Sequence, residues 1–148
     1  MIERWREWIA AFDQCCADDQ WQRLEPFLAE NVTYSVSGAA YPCHLQGRQK
    51  VIDGFASSIR NFDRHFDERQ WHGIGIREYP PSVITGRAVG VYRKGDLPVL
   101  SFSAKSIWQF DGDMLIAMSD MYDPAEIDVQ QGLAWLAEHG AGMDPSYG

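Results

Sequence analysis

Apolar residues return at three- to four-residue steps through the N-terminus, where Ile2, Trp5, Ile9, Phe12 and Cys16 form one stripe that Trp8 widens. This is the pattern of an amphipathic helix. Asp19 with Gln22 three positions on has the spacing of a capping box and opens a second helix, which Pro26 kinks or restarts, so RLEPFLAEN reads as a broken helix. VTYSVS (32–37) alternates and is β-branched, which predicts a strand ending at Gly38; GAAYPCHLQG (38–47) reads as a loop. From Gly47, the positions Val51, Phe55, Ile59, Phe62 and Phe66 predict a long third helix with an aromatic face, despite Gly54.

The period then changes from helix to strand. Residues 69–79, 83–93, 99–110 and 114–122 are four stretches of strand character joined by turns at Pro80–Pro81, KGDLP and DGD, the pattern of an antiparallel meander. In the third stretch Leu100, Phe102, Ala104, Trp108 and Phe110 share one face, and Ser101, Ser103, Lys105 and Gln109 the other. A C-terminal helix is expected over about 124–139, followed by a flexible tail, 140–148. Helices in front and strands behind predict a segregated α+β domain spanning 1–148.

Composition narrows the partners. Thirteen Lys and Arg against 21 Asp and Glu give a formal charge of −8 without a basic run, which disfavours nucleic acid and anionic membrane. Cys15, Cys16 and Cys43 have no metal-type spacing and read as reduced and structural. MIERWREWIAAF carries charges through its apolar stretch, so it reads as neither a secretory signal nor a membrane span, and a cytoplasmic location is expected.

Two aspartates in IAMSDMYDPAEI are the first candidates for chemistry. Asp123, before Pro124 and three residues ahead of Glu126, reads as a helix N-cap. Asp120 shares a strand face with Ile116, Met118 and Tyr122. If that face borders a cavity, desolvation raises its pKa and suits it to general acid or base work; if it is the sheet's outer side, Asp120 pairs with an arginine or a second chain. Tyr34, in a row with Val32 and Val36, reads first as a core aromatic and otherwise as a hydroxyl that orients a substrate carbonyl. Among the histidines, His65 suits a helix C-terminus, His44 lies beside Cys43 without an orienting third group, and His139 reads as a surface residue. His72 aligns in period with Ile74 and Ile76. No metal is expected, because the histidines are scattered, and no nucleotide cofactor, because HGIGIRE lacks a phosphate loop leading into a helix.

With three helices around a first strand, then four long strands closing on MSDMYDP, and with the stretches DDQWQRLEPFLAENVTYSV and GRQKVIDGF, residues 1 to about 125 resemble the nuclear-transport-factor-2-like superfamily, in particular its SnoaL-like polyketide-cyclase branch. The resemblance implies a cone-shaped, curved antiparallel sheet wrapped around the helices, a deep cavity between them, and a homodimer through the sheet's outer face. It matches Asp120 to the acid/base carboxylate of the last strand and His72 to the strand histidines of scytalone-dehydratase-like members. Epoxide hydrolysis would need a second carboxylate near Arg87, where Val89 stands, and steroid isomerisation an acid between Val32 and Gly38, where there is none. The implied catalytic set is Asp120, His72 and Tyr34, with Arg87, Trp108, Tyr122, Met118 and Phe55 contacting a small hydrophobic carbonyl compound. The implied function is cofactor-free acid/base chemistry of cyclase, isomerase or dehydratase type, or else binding of a small apolar ligand without catalysis. The fold alone does not choose between them.

Overall fold

The computed structural model describes residues 1–38 and 41–148; Ala39 and Ala40, in the expected loop, lie outside the described residues. Helix α1 covers Ile2–Asp18 and buries Trp5, Trp8, Ala11 and Cys15, whereas Ile2, Ile9, Phe12 and Cys16 of the predicted stripe are only partly buried against the same core. It stops at Asp19, which adopts a left-handed conformation (φ 63°) and donates its backbone N–H to Cys15 O at 2.8 Å. Asp19 therefore closes the first helix and does not open a second. Its carboxylate accepts from Trp21 Nε1 at 2.6 Å and from Arg60 Nε at 2.9 Å, fastening the end of α1 to a distant part of the chain.

The expected broken helix is a 3-10 helix over Trp21–Phe27 containing Pro26. Strand β1 then runs Leu28–Ser37, four residues earlier than VTYSVS suggested. Leu28 pairs with Leu115 of a distant strand and both are wholly buried, so tertiary pairing overrides the helical character of LAEN. Part of the expected loop is a further strand, β2 (Cys43–Gln46), antiparallel to β1. Helix α2 (Arg48–Asn61) ends before Phe62, and a 3-10 turn follows at Asp63–His65. Phe62 and Phe66 leave the helix stripe to join Tyr92, Leu100 and Trp135 in a second apolar cluster.

Strands β3 (Glu68–Tyr79), β4 (Val83–Arg93), β5 (Leu100–Asp111) and β6 (Met114–Met121) form the predicted meander. The six strands lie in the order β2-β1-β6-β5-β4-β3. The sheet is mixed, not wholly antiparallel, because β1 joins the meander by pairing parallel with β6. The α+β class and the curved sheet packed on helices hold. Trp5, Trp8 and Cys15 of α1 and Val51 and Phe55 of α2 share one core with Ile84, Trp108 and Leu115 of the sheet.

One irregularity changes which residues share a face. Phe110 pairs with Leu115 and Gln109 with Ala117, leaving Ile116 as an extra residue in β6. Leu115 and Met118 thus lie on the inner face, and Ile116 is not in the row of Asp120. Strict alternation had placed it there.

Helix α3 covers Ile127–His139, with Glu126 as an N-cap that makes no side-chain cap bond. Asp123 is a turn residue instead of the predicted cap: its Oδ1 accepts from Ala125 N at 3.0 Å, and Lys105 lies 3.3 Å from Oδ2. The last residues, expected as a flexible tail, lie against α2. Ser58 Oγ donates to Pro145 O at 3.0 Å and Asp144 N to Asn61 O at 3.0 Å. Among the described residues no helix is long and apolar enough to cross a membrane.

The end of β1 is pinned to the end of β6, since Tyr122 N donates to Ser37 O at 2.9 Å. Gly38 has φ +80°, and a Cβ there would fall 1.8 Å from Tyr122 O, so only glycine fits this crossing. Gly38→Ala is expected to destabilise the protein by ~2 kcal/mol or more, from positive φ together with a backbone clash. Chemical denaturation of the two proteins checks this.

Candidate functional site

Three neighbouring strands put three side chains in line on the sheet's inner face. The parallel pairing sets Val36 beside Asp120 and Tyr34 beside Met118, and the antiparallel pairing with β5 sets Ser106 opposite Asp120 and Trp108 opposite Met118. Asp120 Oδ2 accepts from the Tyr34 hydroxyl at 2.7 Å, and Oδ1 accepts a short bond from Ser106 Oγ. The Tyr34 and Tyr147 hydroxyls are 3.1 Å apart, extending the chain to the C-terminal segment. Tyr34 is thus both of the things its pattern allowed, a buried core aromatic and a hydrogen-bonding partner of the carboxylate.

No cation forms an ion pair with Asp120 among the described residues. Burial pushes its carboxyl above the usual carboxylate range, and the bonds from Ser106 and Tyr34 only partly oppose this. Burial also holds the hydroxyls of Tyr34, Tyr122 and Tyr147 well up, so all three stay protonated as donors.

These groups border a cavity of about 210 Å³ between the sheet, α1, α2 and the C-terminal segment. Phe55, Trp108, Met118 and Tyr122, expected at a pocket, all line it, and Phe55 stacks edge-on against Tyr34 at 4.8 Å. Two expected site residues belong elsewhere. Arg87 pairs across the sheet with Ile74 and Lys105, and His72 with Val89, which pairs with Ser103; all of these are on the face opposite Ser106 and Asp120. Arg87 there donates to Ser103 Oγ at 2.7 Å and to Glu126 Oε1 at 2.8 Å, and Lys105 reaches the same glutamate at 3.2 Å. His72 touches the cavity's edge from the edge strand β3, is exposed, and makes no hydrogen bond with Asp120. The physical reason is alternation: each follows or precedes by one a residue of the inner row.

His44 makes a 2.8 Å contact between its Nδ1 and Ser35 Oγ, and not with Cys43. His139 packs on Trp135 at 5.2 Å.

The structure adds groups that the sequence reading did not single out. Ser106 had a visible signal, being the one polar residue at an even-numbered position of the otherwise apolar face of β5. Tyr147 had none, because its place depends on how the last residues fold back. A second polar station lies in the same cavity, where Asp63 pairs with Arg69 and accepts from the Tyr92 hydroxyl at 3.1 Å. Burial pushes the Asp63 carboxyl up while Arg69 pulls it back. Burial works against the Arg69 guanidinium, but the charge of Asp63 outweighs it and leaves Arg69 firmly protonated.

No family model and no curated protein matches the sequence. Solved structures do match in shape. An NTF2-like protein from Anabaena variabilis aligns over 82% of this chain and 87% of its own with a TM-score of 0.65 at 12% identity. A protein described as a candidate polyketide cyclase from Xanthomonas campestris aligns over 89% and 96% with a TM-score of 0.56 at 16% identity. TerC, crystallised with polyporic acid, aligns over 79% and 89% with a TM-score of 0.58 at 11% identity. At these identities the likeness shows the fold, which is NTF2-like.

Asp120 also makes a prediction about stability. Because its folded value is raised, the neutral form is favoured in the native state; its contribution is full below the ordinary carboxylate value and is lost as pH rises through the raised one. Asp120→Asn removes that loss. Thermal melts should show the variant gaining on the parent as pH rises above about 4, the ordinary aspartate value.

Proposed function

We propose that the protein binds a small hydrophobic carbonyl compound in this cavity and acts on it by cofactor-free acid/base chemistry of cyclase, isomerase or dehydratase type, with Asp120 as the proton-transfer group. The observation that carries this reading is the convergence of Asp120, Tyr34 and Ser106 at one point of an aromatic-walled cavity. A buried carboxylate with a raised proton affinity is a stronger base than a free one, and can take a proton from the carbon beside a carbonyl and return it to another atom of the same substrate. The Tyr34 hydroxyl holds the carboxylate in place, and the Tyr147 hydroxyl beside it is the donor that can turn to the oxygen on which negative charge develops. Trp108, Phe55 and Met118 keep water from that charge. The fold of a candidate polyketide cyclase and of a protein crystallised with polyporic acid agrees with a small-molecule cavity, and no more is taken from them.

Arg87 has no part in this scheme, since its side chain belongs to the opposite face, and His72, at the cavity's edge, makes no hydrogen bond with Asp120. That outer face suits the expected homodimer. Ile74, Ile107 and Met121 are 55%, 45% and 48% exposed there, apolar side chains on either side of the Arg87–Glu126–Lys105 cluster. Ile107→Glu should then convert a dimer mass to a monomer mass by light scattering at micromolar concentration. A parent that is already a monomer would remove the proposal.

The catalytic reading is tested by pairing ligand affinity with turnover in Asp120→Asn, using small hydroxy-ketones and aromatic polyketides as substrates. Turnover lower by ~10²–10⁴-fold with affinity retained is expected, the usual contribution of a positioned acid or base. Tyr34→Phe should lower turnover less, by ~10-fold or more, since it removes one donor and leaves the carboxylate. Lost affinity, in a parent protein that turns over none of these compounds, would favour a binding protein instead.

A further inference from the structure

A second cavity, of about 80 Å³, lies under α3 and against the first. Phe62, Phe102, Tyr122, Pro145 and Tyr147 line both, so the two share a wall. Strand pairing fixes where the second cavity lies relative to the carboxylate. Val36, which lines only the second, is the β1 partner of Asp120, which lines only the first. Paired positions on neighbouring strands are ~5 Å apart, so the second cavity begins one strand spacing from the Asp120 corner. Tyr122, in the shared wall, follows Asp120 by two residues.

The two cavities differ in chemistry. Val36, Phe62, Phe102, Val129, Leu133 and Leu136 wall the second, and among the described residues no charged side chain lines it. A buried water needs about two to four polar partners, and here the polar side chains are tyrosines alone, so the space suits hydrocarbon better than water. Part of the shared wall is the C-terminal segment, which Ser58 and Asn61 hold by hydrogen bonds to Pro145 and Asp144. Such a wall yields to an entering chain more readily than packed strands do.

We propose that the second cavity is the subsite for a short alkyl arm of the ligand. The ligand is then an aryl ketone or a close relative: its ring fills the aromatic-walled cavity, its carbonyl oxygen lies at Asp120 and Tyr147, and its arm runs past Tyr122 under α3. The proposal rests on the reading of the Asp120 corner as the place of a ligand carbonyl, and adds where the rest of the molecule goes. Size sets the arm. An apolar cavity of ~150 Å³ takes a benzene ring, so one of about half that volume takes a chain of ~three or four carbons and no second ring.

Phenyl ketones of increasing chain length are the probes, from acetophenone, whose arm is a methyl, to valerophenone, whose arm is a butyl. Calorimetry should show affinity rising about threefold for each added methylene, as burial of hydrocarbon gives. Gly132→Leu fills the second cavity from α3. Gly132 lines that cavity, and a Cβ there would meet Phe102 Cβ at 3.5 Å and Leu100 Cδ1 at 3.7 Å, which are ordinary contacts. In this variant acetophenone should bind as in the parent, and the gain along the series should vanish. In the parent itself the Val129 and Leu136 methyl ¹H–¹³C signals should move with valerophenone and stay with acetophenone, which decides the matter even where the variant folds poorly. Affinity that is flat along the series, a gain that persists in folded Gly132→Leu, methyl signals unmoved at saturation, or no binding of any of these ketones overturns the proposal. Failure of the catalytic reading is separate, because unaltered turnover in Asp120→Asn would leave the chain-length gain and the methyl shifts intact.

Discussion

A carboxylate on the apolar inner face of a sheet is tolerated only if its oxygens find donors there. In this protein the donors come from both neighbouring strands, Tyr34 on β1 and Ser106 on β5, with Asp120 between them on β6. That arrangement requires the parallel union of β1 with β6, which is also what joins the N-terminal strands to the meander. The bulge at Ile116 sets the phase of the row that follows, so Met118 and Asp120 face inward together with Leu115. The same three strands thus hold the sheet together, build the cavity wall and place the carboxylate in it.

The two faces of the sheet divide the polar chemistry. On the outer side Arg87 and Lys105 are neutralised by Glu126 and Asp123, which also anchor the turn into α3. Their charges are held away from Asp120 by the sheet itself, and its carboxyl is left to burial and two hydroxyl donors. Inside, the other charged pair, Asp63 with Arg69, is self-compensating and sits among Tyr92, Trp71 and Phe62. Among the described residues Asp120 is thus the cavity carboxylate that has no ion pair, while Asp13 and Asp63 both face Arg69, and this is the asymmetry that proton transfer uses.

Much of this was legible in the sequence. The meander's strands and the apolar side of α1 follow from period, because apolar burial imposes it directly, whereas the face of Asp120 does not, since the same alternation fits the cavity side and the outer side. The extension of β1 to Leu28, strand β2 and the parallel pairing were not legible, since each depends on a partner far along the chain. His72 and Arg87 were matched by type to a family pattern, yet a displacement of one residue in a strand moves a side chain to the other face. Asp123 was read as a helix cap from a real local motif; the turn bond formed, but Glu126 bonds to Arg87 instead of reaching back, and the helix starts at Ile127. Ser106 could have been found as the polar gap in an apolar row. Tyr147 could not, because nothing local marks the end of the chain as part of a cavity.

The account turns on the state of one carboxyl group, and that state can be observed without a substrate. Carbon-13 NMR of aspartate side-chain carboxyls, titrated across the acid and neutral range, follows Asp120 individually once Asp120→Asn has identified its signal. The account predicts a titration above the ordinary aspartate value, and a further rise in Tyr34→Phe, where one donor to the ionised form is gone. An Asp120 that titrates at or below the ordinary value, unmoved by loss of the Tyr34 hydroxyl, would contradict it.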